Sequence, residues 1–134
     1  MAYLLLVDDD ADFTAAVSTV LRSHQYEIAI EMDYKQAISR IQERRPDAVI
    51  LDVMFPENDT AGFELARVIR RTFGELPILL LTAVNQSFPL GFSSTDLDPT
   101  WLPAVAFLEK PVDFGLLCEK VSEIVAATHI QGTP

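Results

Sequence analysis

The 134 residues predict an α/β fold on a doubly wound parallel sheet, and three observations carry that reading. First, short apolar runs at 4–7, 48–51, 77–81 and 104–108 alternate with segments whose apolar residues recur at helical spacing. Second, these runs are nearly unbroken. Strands covered by helices on both faces read this way, whereas half-solvated strands alternate residue by residue. Third, each run stops on polar residues: Asp8-Asp9, Asp52, Thr82 and Glu109-Lys110. Parallel strands bring their C-terminal ends to one edge, where open α/β sheets bind ligands, so these residues are expected to meet there.

The elements follow in order. A strand at 3–7 leads to a helix over about 11–24, with Phe13, Ala16, Val17, Val20, Leu21 and His24 on one face. Asp10 precedes it and suits its cap. Residues 26–30 alternate, with Tyr26, Ile28 and Ile30 on one side, which marks a half-exposed strand at a sheet edge. Asp33 is expected to cap a helix that runs to about Arg45, with Ala37, Ile38 and Ile41 inward and Pro46 ending it. Residues 48–51 and 78–81 read as central strands. Between them a helix over about 62–73 buries Phe63, Leu65, Ala66 and Ile69 and stops at Gly74. After the strand at 104–108, a last helix over about 113–128 carries Phe114, Leu117, Cys118, Val121, Ile124 and Val125 on one face. Residues 131–134 are expected to fray.

One segment breaks the rhythm. Another amphipathic helix is due between Thr82 and Val105, but Pro89, Gly91, Ser93-Ser94, Pro99 and Pro103 oppose a long one. Phe88, Phe92 and Trp101 oppose a merely solvated loop, so residues 88–103 should be irregular and partly packed.

The length suits one domain, and 49% apolar residues suffice for its core. Twenty acidic and ten basic residues leave a net charge of −10, which should repel a nucleic-acid backbone. Cys118 is the sole cysteine, so neither an intrachain disulfide nor a thiolate metal site can form. It is expected to pack as a small hydrophobe. No stretch reaches the ~20 apolar residues of a membrane span, and the start lacks the features of a signal peptide, so a soluble, cytoplasmic protein without membrane contact is expected. His24 and His129 read as a helix-end residue and a tail residue. Arg44-Arg45 and Arg70-Arg71 read as partners of helix C-terminal dipoles.

Three carboxylates, a hydroxyl and an ammonium at one edge suit a divalent metal and a phosphoryl group. The order of Val7-Asp8-Asp9, Ile50-Leu51-Asp52-Val53-Met54-Phe55-Pro56, Leu81-Thr82-Ala83 and Phe107-Leu108-Glu109-Lys110-Pro111 resembles the receiver domain of two-component response regulators. The resemblance covers essentially the whole chain. It implies a flavodoxin-like five-stranded parallel sheet of order 2-1-3-4-5, which puts the alternating second strand at an edge.

Carried over by position, the resemblance makes Asp52 the phospho-accepting carboxylate. Asp9 and Asp52 would ligate Mg²⁺ directly, with the backbone carbonyl of Met54, and Asp8 would act largely through water. Thr82 would hydrogen-bond one phosphoryl oxygen and Lys110 would pair with another. The Lys110-Pro111 peptide would be cis, and Thr82 with Phe107 would form the switch that reports phosphorylation. A carboxylate and a phosphoryl group repel one another. Mg²⁺ and a lysine offset that repulsion, and an aspartyl phosphate results.

The implied function is a phosphorylatable receiver of a two-component or phosphorelay system. It takes its phosphoryl group from a histidine kinase or phosphotransfer protein and signals to an unknown downstream protein by contact. It would catalyse only its own phosphoryl transfer and dephosphorylation. Residues 1–128 would form the domain, and 129–134 a frayed tail or linker stub. The alternative is a receiver-like binding module that does not depend on phosphorylation. A phosphatase with a second acid two positions after the nucleophile is disfavoured, because Met54 stands there.

Two departures from the family pattern stand out. Gly62 lies farther beyond Asp52 than the matching glycine usually does, so Glu57-Asn58-Asp59-Thr60-Ala61 reads as a lengthened loop. The spacing from Thr82 to Lys110 is also enlarged, which implies a remodelled fourth-helix region where Phe88, Phe92, Trp101 and Leu102 form a docking patch or a plug. Apolar Met54 and Val84 match positions that influence dephosphorylation, and a long-lived phosphoprotein is expected.

Overall fold

The structure, a computed structural model, describes residues 2–52, 61–83, 105–110 and 112–132. Five strands, β1 (Tyr3–Val7), β2 (Glu27–Glu31), β3 (Ala48–Asp52), β4 (Ile78–Ala83) and β5 (Val105–Lys110), form one sheet of order β2-β1-β3-β4-β5. Every neighbouring pair is parallel. All five residues of β1 and of β3 are buried, as their unbroken apolar runs require, while β2 is partly exposed at the edge.

Alternate side chains of the strands pack on opposite layers of helices. Leu5, Val7, Val49, Leu51, Ile78 and Leu80 meet Ala37 and Ile41 of α2 (Ala37–Glu43) and Leu65, Ala66 and Ile69 of α3 (Ala61–Phe73). Leu4, Leu6, Ile50, Leu79, Leu81 and Leu108 meet Val17 and Leu21 of α1 (Ala11–Ser23) and Leu117, Val121 and Val125 of α4 (Phe114–Gly132). Each buried Val, Leu or Ile among them contributes about 1.5–3 kcal/mol, so the double layer is what holds the sheet edge in place.

Several boundaries differ from expectation. β4 and β5 run on through Thr82 and Lys110, because each supplies the other with a ladder partner: Thr82 stands opposite Glu109 and Ala83 opposite Lys110. Asp33 caps a 3-10 turn at Tyr34–Gln36, its side chain accepting from Lys35 N–H at 2.9 Å, and α2 starts only at Ala37. That helix ends at Glu43, short of Arg45. The residue before Pro46 is disfavoured in helical conformation, and Arg44 is already extended at φ −153°.

Arg44 is therefore no dipole partner of α2. Its guanidinium forks onto Glu27 at 2.5 and 2.9 Å and lies 3.9 Å from the centroid of the Tyr3 ring. Arg70 does serve a helix end, donating to the Gly74 carbonyl, and Gly74 stops α3 at φ +69°. α4 continues to Gly132, beyond the expected residue 128, since no proline or turn residue interrupts it earlier. Phe114, expected inward, is exposed on the first turn of α4. Cys118 is half-buried beside His24, and burial pushes its thiol pKa up.

Helix α1 ends in a left-handed closure. Gln25 N–H donates to the Arg22 carbonyl at 2.9 Å and Tyr26 N–H to the Leu21 carbonyl at 3.2 Å. Gln25 sits at φ 69°, a position usually held by glycine.

Candidate functional site

The strand register assembles the acids. Val7 pairs with Leu51, so Asp8, the next residue, and Asp52, the last of β3, reach the same level on adjacent strands. Asp8 N–H donates to the Glu31 carbonyl at 3.1 Å, extending the β1–β2 ladder one step past β1. Asp9 follows in the bend before α1. Oxygens from the carboxylates of Asp8, Asp9 and Asp52 all lie within 4.8 Å of one another. Asp8 is 0% and Asp52 2% exposed, and Asp9 is half-buried.

Like charges this close and this poorly solvated repel, and a shared cation relieves them. The donor set is all hard carboxylate oxygen, which suits Mg²⁺ or Ca²⁺ over softer metals. Oxygens around an octahedral Mg²⁺ at about 2.1 Å stand roughly 3–4 Å apart, so the trio fits one ion held directly or through water.

The start of α1 closes the site from one side. Asp8 Oδ1 accepts from Asp10 N–H at 2.9 Å, and Asp10 in turn caps the helix, its Oδ1 accepting from Phe13 N–H at 3.1 Å. The capping role was legible in the sequence, but the hold on Asp8 was not. The signal for it is the tendency of an aspartate side chain to bond the backbone two residues on.

On the other side, Asp52 stands opposite Leu81, which sets Thr82 one step beyond it on β4. Lys110 ends β5, opposite Ala83. The backbones of Thr82 and Lys110 thus reach the same edge of the sheet as the three acids. Phe107 lies on β5 opposite Leu80. Met54, Val84, Pro111, residues 57–60 of the lengthened loop and the aromatic segment at 88–103 fall outside the described residues, while Ala61, expected in that loop, already starts α3.

Known proteins resemble this chain in sequence and fold. Residues 4–122 match the response regulator receiver domain family. The chain is 41% identical over 80 residues to response regulator MprA of Mycolicibacterium vanbaalenii, covering 60% of this chain and 34% of that protein. It is 40% identical over 80 residues to the DNA-binding response regulator MtrA of Mycobacterium leprae, again covering 60% and 34%. The chain thus spans about a third of the length of these relatives. A crystal structure of a candidate response regulator from Chloroflexus aurantiacus J-10-fl superimposes with a TM-score of 0.74 at 31% identity, covering 93% of this chain and 98% of the other. Phosphorylation on an aspartate is typical of such proteins in two-component systems. With sequence, topology and solved fold in agreement, the chain belongs to the response regulator receiver domain family.

Proposed function

We propose that this receiver is phosphorylated on Asp52 with the help of Mg²⁺. The observation that carries the reading is the convergence of Asp8, Asp9 and Asp52 within 4.8 Å, with Asp52 buried at the end of a central strand. A carboxylate oxygen of Asp52 attacks the phosphorus of a phosphohistidine on a kinase or phosphotransfer protein. The O–P bond forms as the N–P bond breaks, and the departing imidazole nitrogen keeps the electron pair.

Asp9 and Asp52 would hold the metal directly and Asp8 largely through water, with the Met54 carbonyl, outside the described residues, as the further ligand that the family resemblance implies. When bound, Mg²⁺ supplies positive charge that offsets repulsion between the carboxylate and the incoming phosphoryl group. Lys110 neutralises a phosphoryl oxygen from the β5 side, and Thr82 donates to another. Thr82 and Phe107 then shift together to report the modification.

The domain turns over no separate substrate. It catalyses its own phosphorylation and dephosphorylation and passes the signal on by protein contact. The net charge of −10 speaks against nucleic-acid binding by this domain, even though MtrA is a DNA-binding regulator. Among the described residues no helix is long and apolar enough to cross a membrane. We place the domain in the cytoplasm, where a kinase draws phosphate from ATP, and assign it residues 1–128, with α4 carrying it on to Gly132.

Beryllofluoride, a tetrahedral phosphoryl mimic, tests this site. A bound ¹⁹F NMR signal that needs Mg²⁺ and vanishes in Asp52→Ala is expected. No signal despite Mg²⁺ binding would favour the module that works without phosphorylation.

A further inference from the structure

We infer that Asp10 is a positioning residue for the metal-binding acids, holding the Asp8 carboxylate through its own backbone. The inference rests on the reading of Asp8, Asp9 and Asp52 as the Mg²⁺ site.

Asp10 is tied on three sides. Its N–H donates to Asp8 Oδ1 at 2.9 Å, its carbonyl accepts from Thr14 N–H at 2.9 Å, and its side chain accepts from Phe13 N–H at 3.1 Å. Phe13 packs against the core layer between the sheet and helices α1 and α4, so the far end of this chain of bonds is anchored. Asp10 itself is extended, at φ −88° and ψ 106°, and exposed. Its carboxylate is not among the three that converge. Its effect on the site therefore runs through geometry: the cap sets φ and ψ of Asp10, and these aim its N–H at Asp8. Without the cap, the first turn of α1 frays and that aim is lost. Asp8 has little room to adjust otherwise, since it is fully buried and its own N–H is bonded to the Glu31 carbonyl.

The test compares the wild-type chain with Asp10→Ala and Asp10→Asn by Mg²⁺ titration, followed in ¹H–¹⁵N NMR spectra. Preserved sheet resonances show that each variant is folded. Asp10→Ala should weaken Mg²⁺ binding about tenfold, the lower range for losing a group that orients a ligand. It should also shift the residue 10 amide proton upfield as its bond to the Asp8 carboxylate loosens. Asp10→Asn keeps a capping oxygen without the charge and should bind within about twofold of wild type. Equal affinity in wild type and Asp10→Ala would overturn the inference and leave the metal site standing. So would Asp10→Asn binding as weakly as Asp10→Ala, which would make charge the cause. A wild-type chain that binds no Mg²⁺ would overturn both.

Discussion

Asp8, one residue past β1, and Asp52, the last residue of β3, bury their carboxylates at the same level of the sheet edge. Two buried acids with a third inside 4.8 Å weaken the metal-free fold for the sake of the site. Asp52→Asn should therefore raise stability in chelator by about 1–2 kcal/mol, measured by urea unfolding. Mg²⁺ at a hundredfold excess over Kd should stabilise the wild type by about 2.7 kcal/mol and the variant by much less. A less stable variant in chelator would mean that other bonds to Asp52 outweigh the repulsion.

Gln25 holds a left-handed conformation at the end of α1 because the closing bonds to Leu21 and Arg22 demand it. A side chain in that region costs roughly 1–2 kcal/mol, partly offset by the larger chain entropy that glycine would bring to the unfolded state. Gln25→Gly should gain about 0.5–1 kcal/mol in the same unfolding measurement, with Mg²⁺ affinity unchanged. A loss of stability would show that the Gln25 side chain makes a compensating contact.

The Arg44 fork onto Glu27 holds the Glu27 carboxyl below its ordinary value of 4.5, chiefly through the side-chain hydrogen bond. A carboxyl lowered in the folded state adds stability that is fully present above the unfolded pKa and is lost as pH falls through the folded one. The gap in urea midpoint between wild type and Arg44→Gln should hold at neutral pH and begin to close below about 4.5, narrowing further as pH drops. Because both side chains are exposed, added salt should shrink it as well. A gap that is constant across this range would assign the role of Arg44 to its stacking on Tyr3 alone.

Much of this was readable from residue order. Strands β1, β3 and β4 announced themselves because helices on both faces leave them no polar side, and β2 because an edge strand keeps one. The acids were legible as a set because strand ends collect at one edge. Other features depend on partners far along the chain. Thr82 and Lys110 lie within the sheet because β4 and β5 extend each other, which neither run reveals alone. Arg44 finds Glu27 across the α2–β2 boundary instead of the helix end beside it. Gln25 defies its own backbone preference, since two closing bonds outweigh it. The second role of Asp10 lies in its backbone N–H, which every residue but proline carries and which composition cannot flag.

The central claim is that Asp52 accepts a phosphoryl group, and intact-mass spectrometry tests it most directly. The chain is incubated with acetyl phosphate, with and without Mg²⁺, beside Asp52→Asn. The expected result is a single phosphoryl adduct that requires Mg²⁺ and is absent from the variant. An adduct that persists in Asp52→Asn, or none in a wild-type chain shown to bind Mg²⁺ and offered a phosphorylated histidine kinase as well, would contradict it.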